Sequence, residues 1–211
     1  MAKDIILIGG GGHCKSVIDV AESAGYHIVG ILDKPEEVGR QVLNYKVIGV
    51  DDDIPLYVGK AEFVITVGFI KNPALRIKLY NQVLEAGGEF ATLVASTAYV
   101  SKYAILGRGT VVMHKAFVNA GAVVGDNSII NTFSNIEHDA HIGCQCHIST
   151  GAMVNGDCNM GNNVFVGSQS VLSNGISICD DAIVGAGSFV RKNIKIKGIY
   201  SGNPAILKIR L

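Results

Sequence analysis

One period governs more than half of this chain. Counting outward from Ile136 in steps of six gives an aliphatic residue or methionine every time, from Val94 through Val112, Ile130, Ile148 and Val166 to Ile196, eighteen consecutive members. Four positions after each stands a second, mostly small series that includes Ala98, Ala116, Ser134, Ala152, Cys158, Ser170 and Ala182. A fixed repeat means stacked structural units, and a hexapeptide with one aliphatic and one small inward residue reads as a parallel β-helix. The aliphatics fill the shaft and the small residues fit where short strands meet at tight corners. Gly107, Gly125, Gly143 and Gly161 lie eighteen apart, so one coil is three hexads: a triangular prism with one hexad per face. From Val94 to Ser201 the spacing predicts about six coils with no inserted loop.

The preceding residues have another rhythm. "DIILIGGGGHCKSVIDVAESAG" is a strand, a glycine turn and a helix with Val17, Val20, Ala21 and Ala24 on one face and Gly25 as its stop. "YHIVGILD" is a second strand ending in Asp33, and "EFVITVG" a third. "NPALRIKLYNQVLEAGG" is a helix capped by Asn72, with Pro73 in its first turn and Gly87 at its end. Alternation of this kind predicts a small parallel α/β domain over residues 1–93, ahead of a β-helix over residues 94–211. Such domains bind ligands at the carboxyl ends of their strands, where Gly9, Gly10, Gly11 and Gly12 let backbone amides approach a phosphate. Asp33 stands where a nucleoside-contacting acid is expected. The loop fails the dinucleotide fingerprint, because its last glycine position is Cys14.

Balanced charge, 18 basic against 18 acidic residues, with no basic run or aromatic-interleaved patch, argues against a nucleic-acid partner. The uncharged stretch from Cys158 to Cys179 keeps the six-residue rhythm and carries amides and hydroxyls, which reads as prism and not as a bilayer span. The N-terminus lacks the pattern of a secretory signal, so a cytoplasmic location is expected. Of five cysteines, Cys146 and Cys158 fall at small inward positions and read as reduced core filler.

Against this frame the stretch "NTFSNIEHDAHIG" is unusual. With Ile136 and Ala140 inward, Glu137, His138 and Asp139 fall at an outward corner where no core needs them. Imidazole suits proton removal at neutral pH, and Asp139 can fix its tautomer. One coil on, at 138 plus 18, comes Gly156. Stacked strands are about 4.8 Å apart, which puts the Gly156 amide within reach of a carbonyl presented to His138.

A chain that opens with "IGGGGH", carries "NTFSNIEHDAHIG" and "CHISTGAMVNG", and closes on "YSGNPA" resembles the bacterial sugar acyltransferases of the left-handed β-helix class. These are typified by UDP-4-amino-sugar N-acetyltransferases, with perosamine N-acetyltransferases and sialic acid O-acetyltransferases as relatives. The left hand of the helix comes from this resemblance. So do acetyl-CoA as donor, a homotrimer, His138 as catalytic base with Asp139 orienting it, and Asn131 completing the site. The resemblance also implies that the loop from Gly9 to His13, with Asp33, Lys34 and Gly68, holds a nucleotide-linked amino sugar. It implies CoA on the prism near His147, Gly156, Ser168, Ala186 and Pro204. The chain departs from the family pattern in reading "LDK" where a paired acid is usual, "GFIKN" where G-N-N is usual, and Ile206 where the terminal motif has lysine.

Three other activities stay open on the residues alone. O-acetylation of a sialic acid would use the same site. His114, His138, His141 and His147, all read as outward, allow a zinc hydratase on this fold, although spacings of three, six and nine scatter three of them over different faces and metal is not expected. A non-enzymatic scaffold would explain the repeat but neither His13 nor the "EHD" cluster. The two histidines His138 and His147 are half a coil apart, so one chain cannot bring them to one substrate, whereas a trimer can.

Overall fold

The computed structural model describes residues 3–211; Met1 and Ala2, on which the reading of the N-terminus partly rests, lie outside the described residues. The first half runs β1 (Asp4–Ile8), α1 (Gly12–Ser23), β2 (His27–Asp33), β3 (Gln41–Val42), β4 (Tyr45–Val50), α2 (Ile54–Tyr57), β5 (Glu62–Ile65) and α3 (Ala74–Glu85). The sheet order is β3-β4-β2-β1-β5, parallel except for β3 against β4. Central β1 is apolar on both faces because both are covered. Ile5 and Leu7 pack with Val17, Ile18 and Ala21 of α1, while Ile6 and Ile8 pack with Leu79 and Val83 of α3. Asn72 Oδ1 accepts the Ala74 amide at 2.9 Å at the start of α3, and Gly87 ends it at φ 80°.

Two strands here are additional to the three read from sequence. In β4 only Val47 and Gly49 are buried, a short alternation that carries too little apolar pattern to stand out. The strand predicted from "EFVITVG" stops at Ile65, and Thr66 to Gly68 leave the sheet as irregular backbone.

From β6 (Leu93–Val94) to β22 (Phe189–Val190) the chain is a succession of two-residue parallel strands, each paired with the strand one coil on, as Asn135–Ile136 pairs with Met153–Val154. They form three faces of a left-handed parallel β-helix. Face 1 holds β6, β9, β12, β15, β18 and β21; face 2 holds β7, β10, β13, β16, β19 and β22; face 3 holds β8, β11, β14, β17 and β20. The aliphatic series from Val112 to Val190 is at most 3% exposed and forms one core with the small series.

The small polar members are tolerated inside because each reaches a backbone carbonyl: Thr110 Oγ1 donates to Gly125 O (2.9 Å), Ser128 Oγ to Gly143 O (3.1 Å) and Ser170 Oγ to Gly185 O (2.8 Å) in the next coil, while Ser134 and Ser188 donate to Asn131 O and Gly185 O (both 2.6 Å) in their own. Cys146 Sγ reaches into the next coil as well, to Gly161 O at 3.2 Å. The eighteen-residue glycine series stacks at the corner between faces 3 and 1, where a Cβ on Gly125 would lie 2.7 Å from the Cys144 amide. A third six-residue series, not picked out from the sequence, runs from Gly109 to Gly187: each member has a positive φ and turns a corner. Glycine, Asn, Asp and Gln dominate it, as the left-handed region demands. Phe133 and Lys115 are its exceptions.

The regular count fails at the C-terminal end. Ile178 bridges to Ile194 and not to Ile196, and Ile183 pairs with Ile199, so the last coil is sixteen residues long. Ile196, the final member of the predicted series, is 46% exposed. β23 (Gly198–Ser201) then closes face 1 and β24 (Ile206–Arg210) folds back antiparallel on it.

Candidate functional site

The glycine turn is held from beneath. Gly9 N donates to Leu32 O (2.8 Å), and Gly10 N donates to Asp33 Oδ2 (2.8 Å). Arg40 Nη2 reaches both Gly10 O (2.9 Å) and Asp33 Oδ2 (3.4 Å), and its Nε pairs with Glu37. Asp33 Oδ1 accepts the Lys34 amide (2.9 Å). Asp33, expected to contact a nucleoside, is therefore the clamp of the glycine loop in this chain. Lys34 is exposed beside it. Gly11 and Gly12 are exposed at the N-terminus of α1, which has no side-chain cap, so its first amides point to whatever occupies the neighbouring cleft.

That cleft, of about 480 Å³, is lined by Gly11, Gly12, His13, Thr66, Val67, Gly68, Phe69, Ile70 and His147. It lies where the α/β domain meets face 1 of the prism. A second cleft of about 410 Å³ adjoins it through Ile70 and His147 and continues along Ser149, Phe165, Gly167, Ser168, Ile183, Gly185, Ala186 and Ile199, with Lys71 at its rim. The structure thus gathers Gly11, Gly12, His13 and Gly68 in one cleft and Ser168 and Ala186 in the next, with His147 shared, whereas Gly9 and Gly10 are buried beneath the loop and line neither. Pro204 lies in the exposed turn before β24 and lines neither.

His147 corrects the sequence reading. It does point out of the prism, but it is 8% exposed, because Phe69 covers it and Phe165 flanks it with ring centroids at 5.7 and 5.3 Å. His114 is half-buried, with Nδ1 bonded to Thr97 Oγ1 (2.8 Å) and Nε2 near Asp19 Oδ2 (3.1 Å) without a hydrogen bond, whereas His138 and His141 are exposed. The hydrogen bonds of His147 determine its tautomer. Phe69 O can only accept, so Nδ1 at 2.8 Å carries the proton. Asn131 Oδ1 already accepts the Thr132 amide (2.7 Å), which turns Nδ2 toward His147 Nε2 at 3.2 Å. Burial is the first cause that drives the His147 pKa down to about 4. Burial, then Arg76 and His147, take His13 to about 3, and His13 Nε2 has no partner among the described residues. Both imidazoles are neutral at pH 7. Asn131, expected beside His138, takes His147 as its partner within one chain.

His138 occupies the opposite side, at the corner between faces 2 and 3. Its Nδ1 is 2.9 Å from Asp139 Oδ2; a carboxylate can only accept, so Nδ1 carries the proton and Nε2 presents a lone pair. The bond to Asp139 is the chief cause that raises the His138 pKa, with Glu137 adding to it. Asp139 takes the left-handed corner at φ 58°. Glu137 is fixed by Asn119 Nδ2 (2.7 Å) and Asn135 Nδ2 (2.9 Å), and these amides, Asn135 first, hold its carboxyl below the usual range. One coil on, a Cβ at Gly156 would lie 2.7 Å from His138 Nε2, so glycine is what lets the imidazole lie against the backbone. His138 can take up a proton; the imidazoles of His13 and His147 cannot at neutral pH. Among the described residues no three His, Cys, Asp or Glu side chains converge on a metal position, so a zinc site would need ligands from neighbouring chains.

With the geometry in place, comparison with known proteins locates the chain. Residues 4–83 match the PglD N-terminal domain, and residues 160–192 match the hexapeptide repeat of succinyl-transferases. The chain joins a PglD-type domain to a hexapeptide-repeat prism. The crystal structure of PerB from Caulobacter crescentus, solved with CoA and GDP-perosamine, superposes with a TM-score of 0.90 at 29% identity, over 99% of this chain and 98% of that one. The acetyltransferase domain of PglB from Neisseria gonorrhoeae, in complex with acetyl coenzyme A, gives 0.89 at 27% identity, over 99% and 100%. WeeI from Acinetobacter baumannii shares the fold at 18% identity with a TM-score of 0.80, over 98% and 100%. The resemblance to the sugar acyltransferases of this fold therefore holds along the PglD-type domain and the prism. A curated relative, the uncharacterized protein L142 of Acanthamoeba polyphaga mimivirus, is 32% identical over 108 residues, 51% of this chain, and the chain spans 21% of that protein's length. No helix among the described residues is long and apolar enough to cross a membrane.

Proposed function

We propose that the protein is an acetyl-CoA-dependent N-acetyltransferase acting on a nucleotide-linked amino-deoxy sugar. The observation that carries this reading is the pair of clefts that meet at His147. One has a helix N-terminus and exposed glycine amides suited to a diphosphate. The other is a narrow, largely apolar strip suited to a pantetheine arm. Whole-chain similarity to PerB and PglB supports the same assignment of ligands.

In this reading His138 Nε2 first takes a proton from the sugar ammonium group, which frees the nitrogen lone pair to add to the thioester carbonyl. Asp139 holds the imidazole in the required tautomer and stabilises the imidazolium. The oxyanion of the tetrahedral intermediate is met by the Gly156 amide, and collapse breaks the C–S bond and expels the CoA thiolate, which takes up the second proton lost by the attacking nitrogen and leaves as the thiol. Incubation with acetyl-CoA and a panel of UDP-, dTDP- and GDP-linked amino sugars is expected to release CoA thiol with at least one of them. Release with free sialic acid alone would instead support O-acetylation. No release with any member would remove the acyltransferase reading.

A pH profile tests the base. His138 must be unprotonated to act, so kcat/KM rises through a pKa above 6.5, the direction that Asp139 imposes. In Asp139→Asn the rising limb should move to lower pH and the plateau rate should fall by less than in His138→Ala. An unmoved limb would show that Asp139 does not act on the base.

The two histidines belong to one site only if chains associate. His138 is at the corner between faces 2 and 3, while Ser149, Ser168 and Ala186 follow β15, β18 and β21 into the corner between faces 1 and 2. Face 2 lies between these corners and exposes an apolar ladder: Tyr99 and Phe117, stacked at 4.7 Å, then Met153 and Phe189. A cyclic trimer with the three copies of face 2 turned toward its axis buries that ladder. It also brings the His138 corner of one chain against the His147 corner of the next, where Asn131 then joins His138 from across the interface.

A further inference from the structure

Arg76 is the largest fully buried side chain, 1% exposed, and makes no ion pair with the described residues. Its hydrogen bonds all end on uncharged acceptors. Nη1 donates to Ile65 O (2.6 Å) and Val67 O (2.9 Å), Nε to Asn127 O (3.2 Å), and Nη2 to Asn127 O (3.1 Å) and Asn127 Oδ1 (2.5 Å). Asn127 is itself completely buried at a corner of the prism, and its Nδ2 is tied to Gln145 Oε1 at 2.6 Å, which leaves Oδ1 facing the guanidinium. A buried cation without a counter-charge is costly, and an apolar side chain of similar volume would fill the same space without that cost. The arrangement therefore does something that packing alone does not require.

What it does is visible in the chain path. Ile65 and Val67 bracket the point where the backbone leaves β5, and two residues beyond Val67 comes Phe69, whose carbonyl holds His147 Nδ1. The five-donor fork of one arginine ties this segment of the α/β domain to the Asn127 corner of the prism. Lysine could supply the charge but could not span both carbonyls and Asn127 at once. We propose that Arg76 is the positioning residue for His147: it fixes the Ile65–Phe69 segment over the prism and so holds the imidazole in a single tautomer, with the proton on Nδ1 and the lone pair of Nε2 toward Asn131. Its charge also opposes protonation of the two imidazoles that flank the cleft, His13 and His147.

The test is spectroscopic and needs no substrate, so its result is independent of the acetyl-transfer reading. In the full-length chain labelled with ¹⁵N-histidine, the wild type should show His147 as the Nδ1–H tautomer alone at neutral pH. Arg76→Met and Arg76→Lys should both lose that single form and show a mixture of tautomers, while His138 keeps its wild-type signals. If Arg76→Met does not fold, Arg76→Lys decides, because it keeps a long hydrogen-bond donor and removes the planar fork. A folded variant whose His147 signals match the wild type would reduce Arg76 to a space-filling residue and overturn the proposal.

Discussion

His138→Ala is expected to lower kcat by on the order of 10² to 10⁴ while the thermal transition of the protein stays where it is. The two halves of this expectation have separate grounds. The side chain is 59% exposed, bonded to Asp139 and lying against Gly156, so its loss opens no cavity in the shaft filled by Ile136 and Val154. The rate loss follows from removing the one imidazole of the proposed site that is free to accept a proton at neutral pH. Steady-state kinetics together with a circular dichroism melt read both. An unchanged rate would remove the general base, and an unfolded protein would contradict the outward register of the corner.

The second large effect is on stability. Between pH 7 and pH 4 the free energy of unfolding should fall by roughly 6 kcal/mol through His13 and His147 alone. Burial lowers their folded-state pKa values to about 3 and about 4 from an ordinary 6.5. The sign follows from proton counting. Below pH 6.5 the unfolded chain binds two protons that the folded chain refuses, so stability declines as pH falls toward the folded values. Each pH unit of that gap is worth about 1.4 kcal/mol per group, and the sum is comparable to the whole stability of a typical domain. Urea unfolding across this range should be compared with a His13→Gln/His147→Gln chain, whose stability should decline less. Parallel declines in the two proteins would mean that these imidazoles are solvated and titrate normally.

Much of the architecture is legible in the sequence because the prism enforces it residue by residue. Every hexad must put one side chain into a narrow shaft, and a single misplaced polar residue there would be costly, so the aliphatic series is unbroken. The same logic produced the left-handed corner series from Gly109 to Gly187, equally regular and unread, because glycine, Asn, Asp and Gln look like ordinary loop composition. The shortened last coil could not be read: Ile194 and Ile196 are both apolar, and only the pairing with Ile178 distinguishes them.

The site is less legible. The His138 corner is local, so a motif and a coil length suffice to place Asp139 and Gly156 beside it. His147 is different, since the residue that buries it and sets its tautomer, Phe69, is 78 positions away on a segment that departs from the family motif. Arg40 under the glycine loop and Arg76 behind His147 are invisible for the same reason. Nothing in their own neighbourhoods marks them: Arg40 acts between strands of the α/β domain, and the role of Arg76 arises from the docking of one domain on the other.

Co-assembly of two inactive variants tests most directly the claim that one site is built from two chains. His138→Ala chains and His147→Leu chains, each expected to be inactive alone, are mixed in equal amounts, dissociated and reassembled, with differential tags to verify mixed oligomers. In random assembly about a quarter of interfaces join an intact His138 to an intact His147. Activity is predicted to rise from the parental level to near that fraction of wild type. Mixed oligomers that stay at the parental level would place the whole site within one chain and contradict the account.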